Sequence, residues 1–477
     1  MGQSYDLIVI GGGPAGYPAA IRAAQLGARV ALVEKEELGG VCLNRGCIPT
    51  KALIHSAEVY RQVLHAATFG VDLPGEPGLN FARMVARKQE VVDRLVSGVN
   101  HLLQNHNVAL LPGWGTIPDP GRACPDGQSR VRVCSADGED GEFMAKAILI
   151  ATGSQPAFPP VPGVDLPGVI SGEEATELTE LPKRPVIVGG GVIGLELASL
   201  FHALGTQVTV VEVQSTLLPG VGEVALTQRL TGSLRRRGVD IRLKAPVQAI
   251  VRGEGECKRV MLSSPRGEEV VEGDLVIMAT GRRPRTAGLG LEELGVAMEG
   301  RAIVVDEFMQ TNVPGLYAAG DCTGGSMLAS VACYEGLIAA ENVMGSHRGA
   351  DYRAVPNAIF TIPELASVGL TEREARERGI ACRVSRFPFS ASGRALALGE
   401  TEGQARMICE EGTGKVLGAH IMGPHATELI AEASLAVRLG LTAAELAHTI
   451  HAHPRLSEVI LEAALGQLDG AIHYRYT

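Results

Sequence analysis

The stretch YDLIVIGGGPAGYPAAIRAAQLGARVALVEK, residues 5–35, carries the strongest signal for the fold of this chain. It predicts a strand, a glycine turn, a helix and a second strand. The glycines of its G-x-G-x-x-G pattern are Gly11, Gly13 and Gly16. They allow a tight turn, a close approach of backbone to a pyrophosphate, and close packing of helix on strand. The pyrophosphate then lies at the helix N-terminus, and Glu34, at the end of the second strand, can hold a pair of ribose hydroxyls. The stretch therefore predicts a dinucleotide-binding unit.

The same pattern recurs in PVIVGGGVIGLELASLFHALGTQVTVVEVQ, residues 185–214, with Gly189, Gly191, Gly194 and Glu212. The interval from first glycine to acid is 23 residues in both copies. Two chance matches with identical spacing are improbable, so the chain is predicted to bind two dinucleotides. A carboxylate at Glu212 suits the free 2′-hydroxyl of NAD and repels a 2′-phosphate. The segment that follows, VQSTLLPG, contains no Arg or Lys, so NAD is favoured over NADP.

Two cysteines, Cys42 and Cys47, lie in GGVCLNRGCIPTK, just after the first nucleotide-binding unit. In a regular helix their Cα atoms would be about 7.5 Å apart along the axis, whereas a disulfide wants about 4.4–6.8 Å. The pair therefore fits best if Cys42 lies in an approach loop and Cys47 near a helix start, where Pro49 is tolerated. A helix N-terminus stabilises a thiolate. Cys47 is the candidate stabilised thiolate and Cys42 the candidate sulfur that meets substrate; the alternative is two ordinary buried cysteines.

Composition excludes several classes of protein. A chain of 477 residues predicts about three domains. A net charge of −10 argues against nucleic acid and anionic membranes as partners. The start MGQSYDLIVI has no basic region and enters a strand at once, so we expect no secretory signal. Nine scattered cysteines favour a reducing, cytoplasmic compartment with one catalytic pair. The others are predicted to be structural, although Cys322 is of interest because it follows Asp321.

The remaining pattern predicts an α/β fold with two Rossmann-like dinucleotide-binding domains and a C-terminal α+β domain. Residues 52–107 predict two helices joined by VDLPGEPGLN. The buried strands AILIATGS and DLVIMATGRRP each end in a glycine turn, at Gly153 and Gly281. TNVPGLYAAGDCTGG predicts a strand that ends near Asp321, at the sheet edge where ligands bind. The predicted division is a first dinucleotide-binding domain in two parts, a second such domain between them, and the C-terminal domain: 1–152 with 281–349, 153–280, and 350–477.

A histidine cluster, HTIHAHPRLSE, contains His448, His451, His453 and Glu458. No Cys or Asp nearby completes a tetrahedral zinc set, so no metal site is predicted. Surface histidines near a helix start are one alternative. The other is a general acid/base pair, in which Glu458 fixes the tautomer of His453. Disulfide exchange needs such a proton carrier, because a thiolate must be generated and a leaving thiol protonated.

The whole chain resembles the flavin-dependent pyridine nucleotide–disulfide oxidoreductases, and among them the dihydrolipoamide dehydrogenases. The resemblance is carried by motifs from end to end: GGGPAG, GGVCLNRGCIPTKAL, GGGVIGLELA, ATGRRP, TNVPGLYAAGDC, FPFSASGRALAL and HAHPRLSE. It implies oxidation of protein-bound dihydrolipoamide to lipoamide with reduction of NAD+ to NADH. It also implies FAD in the first site, with Asp321 on its ribityl chain, and NAD in the second.

The resemblance further implies roles for individual residues. Lys51 would form an ion pair with Glu196 beside the isoalloxazine ring. Cys47 would be the thiol in charge transfer with the flavin, and Cys42 the interchange thiol. His453 and Glu458 would serve the active site of the other subunit of a homodimer, and the C-terminal α+β domain would be the dimerisation domain. The lipoyl group would come from another chain, because no lipoyl domain precedes residue 1, and would belong to a 2-oxo-acid dehydrogenase or a glycine cleavage system.

Three residues depart from the pattern of these enzymes. Arg455 stands where Thr is usual, Arg45 where Val is common, and Ser330 where His is usual. None removes a catalytic group, but Arg455 could alter the fit of the acceptor. Glutathione-type reductases would need basic residues in place of Glu212, mercuric reductases a C-terminal cysteine pair, and soluble transhydrogenases lack the cysteine pair. A redox-sensing or structural flavoprotein subunit is the alternative outside enzyme chemistry.

Overall fold

The computed structural model describes residues 4–118, 129–135, 140–265 and 267–475. Cys124 lies outside these residues. The first unit contains, in chain order, β1 (Ser4–Ile10), α1 (Gly16–Gln25), β2 (Val30–Glu34), α2 (Gly40–Asn44), α3 (Cys47–Leu64), α4 (Phe81–Asn105), β3 (Ala109–Pro112), β4 (Trp114–Thr116), β5 (Ser129–Cys134) and β6 (Gly141–Ile150). A 3₁₀ turn, Ala66–Phe69, follows α3.

The first sheet has the strand order β3-β2-β1-β6-β5-β4. β1 lies between β2 and β6 and pairs in parallel with both, whereas β4, β5 and β6 pair antiparallel. From Leu7 onward β1 is fully buried, as expected for a parallel strand that is covered on both faces. The first glycine turn follows β1, so it lies at the carboxyl edge of this sheet.

The second unit repeats the arrangement with a smaller sheet. Its elements are β7 (Ser154–Pro156), β8 (Val169–Ser171), β9 (Pro185–Val188), α5 (Val192–Ala203), β10 (Thr209–Glu212), α6 (Val224–Arg237), β11 (Asp240–Leu243), β12 (Val247–Arg252), β13 (Lys258–Ser264), β14 (Gly267–Gly273), β15 (Leu275–Met278) and β16 (Arg282–Pro284). The parallel sheet has the order β11-β10-β9-β15-β8. β12, β13 and β14 form a separate antiparallel sheet, and β7 pairs with β16 where the chain enters and leaves the unit.

The chain then returns to the first sheet. The elements of this return are β17 (Met298–Glu299), β18 (Ala302–Ile303), β19 (Leu316–Ala318) and α7 (Ala329–Val343). β19 pairs in parallel with β6. A 3₁₀ turn, Asp321–Thr323, joins β19 to α7, and α7 packs on α1. This return places the Asp321 turn at the same sheet edge as the first glycine turn.

The C-terminal unit is an antiparallel sheet covered by helices. Its elements are β20 (Asn357–Ile359), β21 (Glu364–Gly369), α8 (Glu372–Glu377), β22 (Cys382–Pro388), α9 (Gly393–Leu398), β23 (Gln404–Glu410), β24 (Val416–Gly423), α10 (Ala426–Leu439), α11 (Ala443–Ala447) and α12 (Glu458–Leu465). The strand order is β20-β21-β24-β23-β22. α10 packs on β21 and β24, and α12 on β22 and β23.

The predicted fold class is confirmed: two units of parallel sheet with glycine turns precede an α+β unit. The two helices expected in residues 52–107 are α3 and α4, joined by an irregular segment. The sequence pattern does not predict the separate β12–β14 sheet or β22. Polar side chains interrupt these strands, at exposed positions in β12 and β14 and at Arg383 and Arg386 in β22, so the continuous apolar run of a buried strand is missing there.

Candidate active site

The two glycine turns have the same backbone geometry. Gly11 and Gly189 both adopt a positive φ, +107° and +116°. A side chain on Gly11 would overlap the carbonyl of Ala151, and one on Gly189 the carbonyl of Ala279. These positions therefore admit only glycine. The two turns are structural equivalents, as their sequences predict.

The other two glycines of each pattern have different structural roles. A Cβ on Gly16 would overlap the carbonyl of Gly11, so the helix packs directly on the strand that precedes it; Gly194 makes the same contact with Gly189. Gly13 and Gly191 face open space instead: among the described residues, the nearest atom to a Cβ at Gly13 is the Cα of Gly40 at 3.9 Å, and none lies within 4 Å of one at Gly191. That space lets a ligand approach the backbone at the start of each helix.

The two acidic residues brace their turns through the same pair of hydrogen bonds. Glu34 accepts from the amide of Gly12 at 2.7 Å and from that of Glu36 at 2.9 Å. Glu212 accepts from Gly190 at 2.6 Å and from Gln214 at 2.7 Å. Each carboxylate oxygen keeps a second lone pair, which can accept from a ribose hydroxyl.

One cavity of about 1090 Å³ connects the parts of the candidate site. Both glycine turns, Glu34 and Glu212 line it, and so do Cys42, Cys47, Lys51, Glu196 and Asp321. A cavity of this size exceeds the usual range for a single small ligand. The space and the open Gly13 and Gly191 backbones fit two extended dinucleotides that meet near the cysteine pair.

Cys42 and Cys47 form a disulfide with a Cα–Cα distance of 4.7 Å. Cys47 is the first residue of α3, as predicted. Cys42, expected in a loop, lies instead in the one-turn helix α2. Gly39 and Gly40 both have positive φ, which lets the chain turn sharply into α2, and the Asn44 side chain ties the turn by donating to the carbonyls of Leu38 and Gly40. The break at Gly46 between the two helices brings the cysteines together.

Lys51 and Glu196 form an ion pair beside the disulfide, with Nζ 2.7 Å from Oε2. Lys51 lies one turn beyond Cys47 on α3, and Glu196 lies on α5 of the second unit. Glu196 is only 3% exposed, and its other oxygen accepts from the amide of Phe360 at 3.1 Å. The Phe360 ring also lies 4.8 Å from the ammonium. The buried carboxylate is fully partnered, so the lysine is held at one position in the cavity.

Asp321 lies at the start of the 3₁₀ turn after β19 and is anchored by residues that the sequence analysis missed. Ser154 donates to its Oδ2 at 2.5 Å, and Arg282 donates to the Ser154 hydroxyl at 2.7 Å. Arg282 also pairs with Glu173 at 2.6 Å. Ser154 and Arg282 each directly follow one of the predicted glycine turns, Gly153 and Gly281. That shared position is the feature of the sequence by which both residues could have been found.

Cys322 is buried, and its thiol donates to the carbonyls of Ala319 and Ile150. Burial raises the pKa of this thiol to about 12. It therefore stays protonated, and it is a structural residue rather than a reactive one.

His453 and Glu458 form a hydrogen-bonded pair, with Nδ1 2.8 Å from Oε1. The second oxygen of Glu458 accepts from the amide of Arg455 at 2.9 Å. Burial alone would raise the pKa of Glu458, but the bonds from His453 and Arg455 outweigh it and lower the pKa. The His453 side chain is 80% exposed and does not line the cavity of its own chain. The pair is therefore presented outward, and no hydrogen bond to Nε2 comes from the part of the chain that the structure describes.

The neighbouring histidines differ from His453. His451 is almost fully buried and bonds to Glu432 at 2.8 Å and to the carbonyl of Thr449. These contacts make it structural. His448 is exposed.

The three residues that depart from the family pattern, Arg45, Ser330 and Arg455, have different surroundings. Arg45 lines the cavity, pairs with Glu36, and lies 3.8 Å from Glu37. Burial alone would raise the pKa of Glu36, but bonds from Lys35 and Arg45 lower it to about 2. Ser330 lines the cavity at the start of α7, and Arg455 is exposed.

Within the described residues, no three His, Cys, Asp or Glu side chains are grouped as metal ligands. None of the helices in that part of the chain has the length and apolar character needed to span a membrane.

Comparison with known proteins gives the same pattern over the whole chain. The family model "Pyridine nucleotide-disulphide oxidoreductase" matches residues 5–336, and the dimerisation domain of the same family matches residues 355–464. The dihydrolipoyl dehydrogenase of Chlamydia trachomatis is 42% identical over 477 residues, with 99% of each chain covered. That of Bacillus subtilis is 41% identical, covering 99% of this chain and 100% of the relative. The crystal structure of LpdA from Mycobacterium tuberculosis superposes with a TM-score of 0.89 at 31% identity, covering 97% of this chain and 99% of that one.

Proposed function

Because this chain belongs to the pyridine nucleotide–disulphide oxidoreductase family, we propose that it is an FAD-dependent dihydrolipoyl dehydrogenase. It oxidises protein-bound dihydrolipoamide to lipoamide and reduces NAD+ to NADH. The observation that carries this proposal is the Cys42–Cys47 disulfide, which lines the same cavity as both glycine turns. Full-length relatives named dihydrolipoyl dehydrogenase, about 40% identical, support the substrate.

The first turn, with Glu34 and Asp321, would hold FAD, and the second turn, with Glu212, would hold NAD. When bound, FAD supplies a two-electron carrier between the cysteine pair and the nicotinamide. We assign the binding of FAD to residues 1–152 with 281–349, the binding of NAD to residues 153–280, and the dimer contact to residues 350–477. The dimerisation-domain match supports a homodimer.

The reaction of the cysteines begins with the dithiol substrate. One substrate thiolate attacks Cys42, the enzyme disulfide breaks, and Cys47 leaves as a thiolate at the N-terminus of α3. The second substrate thiolate then attacks the mixed disulfide, which closes the substrate disulfide and releases the sulfur of Cys42; that sulfur takes up one of the two substrate protons. Two electrons thus enter the cysteine pair, and two protons leave the substrate.

His453 is the proposed proton acceptor for these steps, and Glu458 stabilises the imidazolium that results. In its own chain His453 is exposed and outside the cavity. The pair would therefore reach the cysteines of the partner subunit. Lys51, held by Glu196, places a positive charge in the cavity, and that charge would act on the flavin ring when FAD is bound.

The partner would be a lipoyl group carried by another protein of a 2-oxo-acid dehydrogenase or a glycine cleavage system. A reducing, cytoplasmic location is proposed from cysteine usage: besides the redox pair, the six cysteines of the described segments are all free.

The test is a steady-state comparison of dihydrolipoamide with NAD+ and, in the reductive direction, of lipoamide, glutathione disulfide and mercuric ion with NADH and NADPH. The proposal requires the lipoyl substrates with NAD+ and NADH to give the highest kcat/KM. A preference for glutathione disulfide or mercuric ion would refute the proposed lipoyl substrate, while the assignment to the family would stand.

A further inference from the structure

Glu335 is a buried carboxylate that the proposed chemistry does not use. It lies on α7 and is 7% exposed. Its Oε2 accepts from the amide of Gly320 at 2.7 Å, and its Oε1 accepts from the hydroxyl of Tyr352 at 2.8 Å. Burial is the main cause that raises the pKa of this group, and the nearby Asp321 adds to it. A costly buried acid with two short bonds calls for a specific role.

The Gly320 amide controls the turn that carries Asp321. Gly320 has a φ of +79°, and a Cβ there would lie 3.1 Å from the methyl groups of both Ala15 and Ala332. Its carbonyl accepts from the amide of Thr323 at 2.9 Å. The hydrogen bond to Glu335 fixes the Ala319–Gly320 peptide, one peptide before the one that leads into Asp321. It therefore limits the path of the backbone into Asp321 and with it the position of the Asp321 carboxylate.

Tyr352 connects this turn to the C-terminal unit. It lies in the segment between α7 and β20, and its ring packs edge-on against Tyr334 at 6.3 Å. The preceding residue, Asp351, donates its amide to Tyr334 and pairs with Arg438 of α10 at 2.8 Å. These contacts hold the Tyr352 side chain in place, so its hydroxyl can orient the Glu335 carboxylate.

We propose that Tyr352 and Glu335 are positioning residues for FAD: the relay from the Tyr352 hydroxyl through Glu335 to the Gly320 amide holds Asp321 against the cofactor. The inference rests on the proposed function, because it requires FAD in the first site. Neither residue needs to touch FAD. The Ser154 hydroxyl fixes the Asp321 carboxylate, and the relay fixes the amide of the preceding residue, Gly320.

The relay makes different predictions for two substitutions at one position. In Glu335→Gln the amide oxygen can still accept from Gly320, and the amide N–H can donate to the Tyr352 oxygen, so both contacts persist. In Glu335→Ala the Gly320 amide is left buried without an acceptor. A role that depended only on the charge of Glu335 would make Gln as damaging as Ala.

Tyr352→Phe removes the hydroxyl at a half-exposed position and keeps the ring, so folding is not at stake. Tyr317→Phe is the matched control: it removes a hydroxyl from β19, the strand that leads into the same turn, and no hydrogen bond joins Tyr317 to Glu335 in the described structure.

The experiment measures release of FAD from each purified holoenzyme by flavin fluorescence after dilution, together with the flavin midpoint potential. We expect release to be faster by about tenfold in Glu335→Ala and in Tyr352→Phe, the loss of one hydrogen bond to a charged group. Their potentials should also change, while Tyr317→Phe and Glu335→Gln should stay near wild type.

Tyr352→Phe that matches Tyr317→Phe in both FAD release and potential would overturn the inference, even if Glu335→Ala fails to fold. Glu335→Gln that loses FAD as fast as Glu335→Ala would overturn it as well. In both cases the wild type would remain an FAD enzyme, so the proposed function would stand. A wild type that binds no FAD would overturn both.

Discussion

The equivalent acids Glu34 and Glu212 allow one perturbation to be tested against an internal control. Each carboxylate accepts two hydrogen bonds of 2.6–2.9 Å from backbone amides at its glycine turn. Replacing Glu212 with Gln leaves one acceptor oxygen for two amides and puts an N–H against the other. Loss of one such bond to a charged group costs about 1.5–3 kcal/mol. If the whole loss appears in cofactor affinity, the Kd for NAD+ rises about 10- to 150-fold.

The assay is calorimetric titration of each holoenzyme with NAD+, together with fluorescence measurement of FAD retention. Glu212→Gln should weaken the binding of NAD+ and leave FAD bound. Glu34→Gln should weaken the binding of FAD and leave the NAD+ affinity of the reconstituted enzyme unchanged. Wild type should also prefer NAD+ over NADP+ by at least about tenfold, or about 1.4 kcal/mol, and Glu212→Gln should narrow that ratio. NAD+ affinity that is unchanged in Glu212→Gln, or lost equally in both variants, would refute the assignment of the two turns.

The remaining predictions concern the cysteines, the histidine and the arginine of the redox segment. Cys42→Ser should show the long-wavelength absorbance of a thiolate beside flavin without reduction, while Cys47→Ser should lack it after reduction; the opposite result in absorbance spectra would reverse the two roles. His453→Gln should keep FAD and reduction by NADH but lose about 10²–10⁴-fold in lipoamide turnover. Mixed with inactive Cys42→Ser chains, it should regain activity in heterodimers verified by mass, and no recovery would mean that His453 does not act across the subunit boundary. Because the pKa of Glu36 is lowered to about 2, its ion pair contributes stability at neutral pH that is lost as pH falls from about 4.5 towards 2. Arg45→Val should move the pKa of Glu36 back up and start acid unfolding at a higher pH, and an unchanged profile of Tm against pH would refute that contribution.

The fold was largely predictable because its decisive signals are local. Each glycine pattern reports a turn whose steric demands are set by contacts within one βαβ unit or with the strand beside it, as Gly11 and Gly16 illustrate. The repeat of the pattern then gives the architecture without any long-range contact. The position of Cys47 followed from helix-end chemistry in the same way.

Contacts between distant segments were not predictable from these local patterns. Ser154 and Asp321 are 167 residues apart, and they meet because β19 returns to the first sheet beside β6. A buried Glu within an apolar helix carries no sequence signal of its partner. The helix at Cys42 was missed because the spacing of the two cysteines excludes only a disulfide within one regular helix. Here the chain breaks at Gly46, so Cys42 in α2 and Cys47 in α3 lie in two separate helices.

The most direct test of the central claim is the rate of NADH formation from dihydrolipoamide and NAD+ by the FAD-loaded wild type, with Cys42→Ser as the matched control. We expect rapid NADH formation by wild type and none above background by Cys42→Ser, although the variant keeps its FAD. Equal rates in the two proteins, or no NADH from a wild type that holds FAD, would contradict a disulfide-mediated transfer of electrons from the lipoyl dithiol to NAD+.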